Sequence, residues 1–184
     1  MLVVTDGAHG LIRAMEELWP GSHRRRCTVH RWRNVAGKLP KNDTQLHERV
    51  EAAYWAALDQ ATSVADGEAR LRWLVTDLER SYPSAAACLA EDPPALCVHL
   101  EYPLRLRKRL RSENLLERSL EEVQRRVKVI GRFAGETSCL SLCWALLDLF
   151  IASARGLGLT ALEHRQLAQM RAARSAQIPG LLTA

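Results

Sequence analysis

The prediction of the fold starts from a segment near the start of the chain, Leu2-Val3-Val4-Thr5-Asp6-Gly7. Four apolar or β-branched residues closed by an Asp-Gly pair are typical of a buried strand that carries its aspartate at the carboxyl-terminal tip. A parallel sheet buries both faces of its strands, so a lone strand needs neighbours. The sequence offers one other strand candidate, Arg26 to His30. We therefore expect the chain to begin in the middle of a sheet.

Helical periodicity accounts for nearly all of the remaining sequence. Apolar residues between Ala8 and Trp19 recur at helical spacing until Pro20-Gly21 ends the pattern. The fold class is therefore mainly α, with two strands. Further helices are predicted over Arg31–Leu39, Thr44–Thr62, Ser63–Tyr82, a short piece after Pro83 ending near Asp92, a segment from the N-cap Ser112 to Gly131, an apolar segment from Thr137 or Ser138 to Ala154, and Thr160–Ser175.

Positive charge is clustered along this chain. Among 184 residues, 47% are hydrophobic and the net charge is +5, so the chain is globular and not disordered. No acidic residue lies between Glu17 and Asp43, and further acid-free runs hold the basic residues from Arg105 to Arg111 and from Arg125 to Arg132. Such runs indicate contact with phosphate backbones. Several solvated surface faces are an equally good interpretation of charge alone.

The cysteines and the hydropathy of the sequence indicate in which cellular compartment the protein is expected. Five cysteines without regular spacing, and no leader-like segment at the N-terminus, favour a reducing cytoplasm. The longest apolar stretch, Cys139 to Ala152, contains Ser141 and Asp148 and is shorter than the roughly 20 residues that span a bilayer. It is predicted to be a buried core helix.

Asp6 and Glu117 are the candidate metal ligands. Asp6 at a strand tip, with Gly7 leaving room for substrate, suits a phosphoryl-transfer site, although Asp-Gly is also a common turn. Basic residues four positions away give Glu121 and Glu122 ordinary ion pairs, whereas both positions four away from Glu117 are acidic. Glu117 is therefore either a carboxylate that binds a cation or part of an exposed acidic face. The basic partners of Glu121 and Glu122 are Arg118, Arg125 and Arg126.

Cys27 and His30 form a Cys-x-x-His pair inside the first basic run. A structural zinc site needs four ligands, and the sequence offers no second pair at a suitable spacing. We therefore reject zinc. A buried cysteine with a histidine that reaches toward the site or the DNA is one interpretation, and a histidine satisfied within the core is the other.

Four segments follow one another along the chain: Val3 to Ala14, Arg26 to Val35, Asn114 to Arg118, and Arg125 to Gly131. In this order they resemble the Mutator superfamily of transposases, including its bacterial insertion-sequence branch. The first resembles the segment around the family's second catalytic Asp, and the third resembles its Asn-x-x-Glu-Arg motif. Two positions depart from the family pattern: Arg25 replaces the usual glutamine, and Ser112-Glu113 stands where the family prefers threonines.

The resemblance implies an RNase H-like core whose three carboxylates hold two Mg²⁺ (or Mn²⁺) ions for DNA strand cleavage and transfer. Asp6 and Glu117 match the second and third acids. The first acid and the usual DNA-binding region are expected upstream of Met1, so we expect a transposase fragment that is inactive alone. Its expected parts are a partial RNase H-like core (1–40), an all-helical insertion (41–111) and C-terminal helices that complete the core (112–184).

The same resemblance implies DNA as partner, at transposon ends and target, in the cytoplasm at the bacterial nucleoid. It also implies a homo-oligomer or pairing with full-length transposase, and no membrane. The alternative is a non-catalytic helical module that binds DNA or pairs with a transposase. The expected DNA-binding residues are Arg24, Arg25, Arg26, His30, Arg31, Arg33, Arg118, Arg125, Arg126 and Lys128, and Cys27, His30 and Asn114 are expected to belong to a structural motif.

Overall fold

The computed structural model describes residues 2–111, 114–153 and 156–176, with the backbone alone at 114–116. It is mainly helical with one two-stranded sheet, as predicted. Packing divides the chain into two compact units, Met1–Ser112 together with Thr160–Ala184, and Glu113–Leu159. The segments 1–40 and 41–111 therefore lie in one unit.

The sheet consists of β1 (Leu2–Thr5) and β2 (His23–Arg26), which pair in parallel with Leu2 opposite His23. The prediction of β1 is confirmed. The prediction of a second strand from Arg26 to His30 is wrong, because the chain is already helical at Thr28. Period-two apolar patterning does not reveal β2, since three of its four residues are arginines. Two of these arginines are nevertheless buried.

Two helices flank the strands. Helix α1 (His9–Leu18) supplies the crossover that parallel strands require, and it buries Met15. Its end before Pro20 agrees with the predicted stop. Helix α2 (Thr28–Ala36) begins directly after β2 and ends earlier than the predicted Leu39.

The hydrophobic core of the first unit lies among α2 and the helices that follow it. Fully buried side chains such as Val50, Leu71 and Leu89 fill this core. The side chains of Asp43 and Ser63 cap the helices Thr44–Asp59 and Val64–Glu79 by accepting hydrogen bonds from Leu46 N (2.9 Å) and Asp66 N (3.1 Å). The helices are α3 (Thr44–Asp59), α4 (Val64–Glu79), α5 (Pro83–Ala90), α6 (Pro93–Cys97), a 3₁₀ helix (Val98–Glu101) and α7 (Leu104–Leu110).

Helix α10 (Ala161–Ala176) also belongs to the first unit. Buried Glu163 accepts hydrogen bonds from Thr160 N (2.7 Å) and from Arg105 Nε on α7 (2.8 Å). These bonds hold the pKa of Glu163 at about 2, with the bond from Arg105 as the largest cause. The carboxylate therefore both caps α10 and joins it to α7.

The second unit contains α8 (Asn114–Val127) and α9 (Glu136–Ser153), which pack against each other. The expectation that the apolar segment forms a buried core helix is wrong, because α9 has no buried residue and Trp144 is 69% exposed. An all-round apolar helix has more apolar surface than one neighbour can cover. Across the described residues, α9 is the helix long and apolar enough to cross a membrane, by length and composition only.

Candidate functional site

Asp6 lies directly after β1, at the carboxyl-terminal tip of the strand, and its side chain is exposed. Its Oδ1 accepts a hydrogen bond from the Ala8 backbone N–H at 2.9 Å. Such a local bond, formed across Gly7 at the start of α1, restricts the carboxylate to one orientation. The structure therefore presents one accessible, oriented carboxylate at the tip of the sheet.

Gly7 does not leave open space beside Asp6, contrary to the sequence-based expectation. The backbone of Gly7 has a φ of +98°, and the guanidinium of Arg26 occupies the position that a β-carbon would take. Any larger residue at position 7 would therefore collide with Arg26 and adopt a backbone conformation that L-residues disfavour. Glycine makes room for an arginine of this chain.

Arg26, at the end of β2, is 6% exposed, and its Nε has no hydrogen-bond partner among the described residues. Burial lowers the pKa of Arg26, the positive charge of Arg31 lowers it further, and Glu91, Asp6 and Asp92 oppose this shift. A guanidinium thus lies beside Asp6 at the tip of the sheet. This juxtaposition of acid and base was not predicted.

The junction between α5 and α6 supplies acidic partners for the arginines around β2. Arg31 on α2 is fully buried, donates to the Cys88 carbonyl at 2.5 Å and forms an ion pair with Glu91. The hydrogen bond from Arg31 is the largest cause that lowers the pKa of Glu91. Arg24 pairs with Asp92 at 2.7 Å. Sequence reasoning missed both acids, and the one available signal was an adjacent Glu-Asp pair at the end of an alanine-rich helix.

Arg25 lies inside the first unit and is fully buried. Its guanidinium donates to the Leu110 carbonyl and lies 3.3 Å from Nδ1 of buried His99. Burial is the main cause that lowers the pKa of Arg25 to about 9 and that of His99 to about 4. Arg25 therefore holds β2 against the helical layer.

The structure divides the residues expected to bind DNA into three groups by their burial. Arg25, Arg26 and Arg31 are buried, and Arg25 and Arg31 bind the carbonyls of Leu110 and Cys88 in place of DNA phosphates. Arg24 and His30 are partly buried. The exposed residues are Arg33 on α2 and Arg118, Arg125, Arg126 and Lys128 on or after α8.

Arg125 and Arg126 are exposed but already have an acidic partner. Both bind Glu122, at 2.8 Å and 2.6 Å, and these hydrogen bonds lower the pKa of Glu122 to about 2. The expected pair between Arg126 and Glu122 is confirmed, whereas Arg125 binds Glu122 and not Glu121. Contact with phosphate would require these two arginines to bridge Glu122 and the DNA.

Glu117 is partly buried in the first turn of α8. Asp6 belongs to the first compact unit and Glu117 to the second. The side chain of Asn114 lies outside the described residues.

Cys27 is fully buried at the N-terminus of α2, one helical turn before the partly buried His30. Over residues 2–111, 114–153 and 156–176, no three His, Cys, Asp or Glu side chains cluster closely enough to hold a metal ion.

Comparison with known proteins identifies relatives along most of the chain. A family model described as "Transposase, Mutator family" matches residues 1–150. The transposase for insertion sequence element ISRM5 of Rhizobium meliloti is 33% identical over 180 residues, 94% of this chain and 44% of the relative. The transposase for insertion sequence element IST2 of Acidithiobacillus ferrooxidans is 26% identical over 163 residues, which are 89% of this chain and 53% of the relative.

A third relative, the transposase for IS256 in transposon Tn4001 of Staphylococcus aureus, is 29% identical over 160 residues, 84% of this chain and 40% of the relative. The chain spans about half the length of the curated relatives it matches.

Proposed function

The chain belongs to the Mutator family of transposases, and we propose that it supplies two of the three catalytic carboxylates with which an insertion-sequence transposase cuts and joins DNA. The proposed acids are Asp6 and Glu117, and β1 with β2 is the proposed remnant of an RNase H-like core. The observation that carries the proposal is the exposed carboxylate of Asp6, oriented at the tip of a parallel strand in a chain that matches the family. The proposed location is the bacterial cytoplasm, at the nucleoid.

The described residues supply some, but not all, of the oxygen ligands that a divalent cation needs. Mg²⁺ and Mn²⁺ prefer oxygen ligands, and Asp6 is an accessible oxygen ligand whose Oδ2 receives no hydrogen bond from the described residues. One carboxylate does not hold two ions, and no cluster of three ligands occurs in the described parts of the chain. When bound, the ions activate the attacking oxygen and stabilise the leaving oxygen.

Direct measurement of metal binding tests these two acids. We expect Mn²⁺, followed by electron paramagnetic resonance, to bind the parent chain weakly and both Asp6→Asn and Glu117→Gln more weakly still. Glu121→Gln is the matched control, because it removes an exposed carboxylate from the same helix as Glu117. Equal Mn²⁺ affinity in all four proteins would contradict the assignment.

We expect the 184-residue chain alone, with Mg²⁺ or Mn²⁺, neither to cleave nor to join DNA. The reason is that its described carboxylates do not form a complete metal cluster. Cleavage and joining are measured by electrophoresis after incubation of the chain with DNA that carries the ends of an insertion sequence. Strand transfer by the parent chain that Glu117→Gln abolishes would show that the chain is active by itself.

A second candidate function is a non-catalytic module that pairs with a longer transposase. The exposed apolar surface of α9 favours it, because an apolar surface of this kind marks protein interaction sites. In that case Asp6→Ala and Glu117→Ala would bind the transposase and DNA as well as the parent chain does. Co-purification with a full-length family transposase distinguishes the two functions.

A further inference from the structure

A cleft of about 640 Å³ opens at the amino-terminal ends of the strands, within the first compact unit. Its walls are the end of α1 with the turn after it, Tyr102, and one face of α10. This volume is within the range of small-molecule binding sites. Leu2 lines the cleft and Asp6 directly follows the same strand, so Leu2 is about 13 Å from the proposed catalytic acid.

The cleft combines an aromatic surface with positive charge. Trp19 is 52% exposed and lines the cleft together with Met170 of α10. Arg171 and Arg174, three residues apart on α10, also line the cleft, and none of the described residues that line it is Asp or Glu. A ligand that fits these walls has a flat apolar part and a negative charge.

Arg174 supplies a second indication of an anionic ligand. One of its Nη atoms donates to the Ser22 carbonyl at 3.4 Å, but its Nε is buried and has no partner in the described part of the chain. A buried donor without an acceptor is costly, and an anionic oxygen in the cleft would remove that cost. The adjacent His23 stays neutral near pH 7, because burial and Arg174 lower its pKa to about 4.

We propose that this cleft binds one unpaired nucleotide of a DNA strand, with the base stacked on Trp19 and the phosphate bound by Arg171 and Arg174. A base inside a duplex offers no free face for stacking, so the ligand is single-stranded. This inference rests on the proposed function for its DNA substrate. It adds a strand-holding site apart from the reacting phosphate.

Fluorescence anisotropy with labelled, 5′-phosphorylated tetrathymidylate and with a blunt 16-base-pair duplex tests the proposal. Loss of base stacking in Trp19→Leu is expected to weaken tetrathymidylate binding about tenfold. Arg174→Gln is expected to weaken it similarly. Trp73→Leu is the matched control, because Trp73 is 65% exposed on α4 and does not line the cleft. All variants should bind the duplex as the parent chain does.

Loss of tetrathymidylate binding in Trp19→Leu, with duplex binding and melting temperature retained, supports the cleft as a nucleotide site. Equal tetrathymidylate affinity in Trp19→Leu and Trp73→Leu would overturn the inference, as would duplex binding without any tetrathymidylate binding by the parent. Failure of the parent chain to bind either DNA would overturn this inference and would also count against the proposed function. The two failures are therefore distinguishable.

Discussion

Gly7 adopts a φ of +98° with the guanidinium of Arg26 at the position of a β-carbon, so both the backbone and the available space require glycine there. A left-handed conformation costs an L-residue about 1–2 kcal/mol, and displacement of Arg26 adds to that cost. We therefore expect Gly7→Ala to lower the free energy of unfolding by about 2 kcal/mol or more. Urea denaturation followed by circular dichroism measures this change.

Gly10→Ala is the control for Gly7→Ala. Gly10 lies in the first turn of α1 with nothing within 4 Å of an added β-carbon, so alanine should be neutral or stabilise by up to about 1 kcal/mol. If the two alanine variants unfold at the same urea concentration, the described contact between Gly7 and Arg26 is wrong.

The buried arginines show where sequence reasoning reaches its limit. The run from Arg24 to Arg33 has no nearby acid in the sequence, so it indicates a phosphate-binding surface. In the structure, Arg24 and Arg31 have Asp92 and Glu91 as partners. Partners that distant in sequence leave no local pattern, and a charge run does not reveal which of its members are buried. Asp6 was predictable because a strand and its tip form a local pattern.

His99 predicts a pH dependence of stability. Burial lowers its pKa from 6.5 to about 4, so between these values the unfolded chain binds a proton that the folded chain does not. The free energy of unfolding should therefore fall as the pH decreases from about 6.5 toward 4. His99→Gln should reduce this slope, and the similarly shifted His23 should account for part of the remainder.

Urea denaturation at several pH values between 7 and 4 measures the slope. His164→Gln is the control, because it removes an exposed histidine from α10. A slope that is as steep in His99→Gln as in the parent and the control would show that His99 does not titrate in this way.

Among the elements, β1 and α1 were predictable, whereas β2 and the environment of α9 were not. Apolar β-branched residues identify β1, and helical spacing identifies α1. Strand β2 consists of His-Arg-Arg-Arg, and its burial depends on tertiary partners that the sequence does not show. For α9, apolar composition predicts a helix but does not show what covers its surface, which is exposed.

The exposure of α9 leads to a prediction about Trp144. Since Trp144 is 69% exposed, Trp144→Lys should change the free energy of unfolding by less than about 0.5 kcal/mol. It should also reduce self-association, because a charge interrupts an apolar surface. Chemical denaturation and light scattering measure the two effects.

Leu74→Ala provides the contrast, because Leu74 is 1% exposed in the core of the first unit and its truncation should cost about 2–5 kcal/mol. A destabilisation by Trp144→Lys as large as that of Leu74→Ala would mean that α9 is buried in solution.

At the scale of the whole molecule, we expect the exposed basic residues to bind duplex DNA in a salt-dependent way. Each phosphate contact that is lost reduces the slope of log affinity against log salt concentration by about 1. Arg33→Gln and Lys38→Gln, both at exposed positions of or near α2, should each weaken binding and reduce that slope. Filter binding at several salt concentrations measures both quantities.

Arg70→Gln is the matched control for these variants. Arg70 is exposed on α4 and pairs with Asp66 at 2.9 Å, so its removal should leave the salt slope unchanged. Duplex binding that does not depend on salt would contradict phosphate contact by any of these residues.

We propose that Asp6 and Glu117 bind the same divalent ion, and Fe²⁺-directed cleavage of the polypeptide tests this proposal. Fe²⁺ binds oxygen and nitrogen ligands at least as tightly as Mn²⁺ and, with ascorbate and peroxide, generates radicals that cut nearby backbone. Mass spectrometry of the fragments should show cuts beside both Asp6 and Glu117 in the parent chain. Both cuts should disappear in Asp6→Asn and in Glu117→Gln. Cuts beside one residue that persist when the other is substituted would contradict a shared ion.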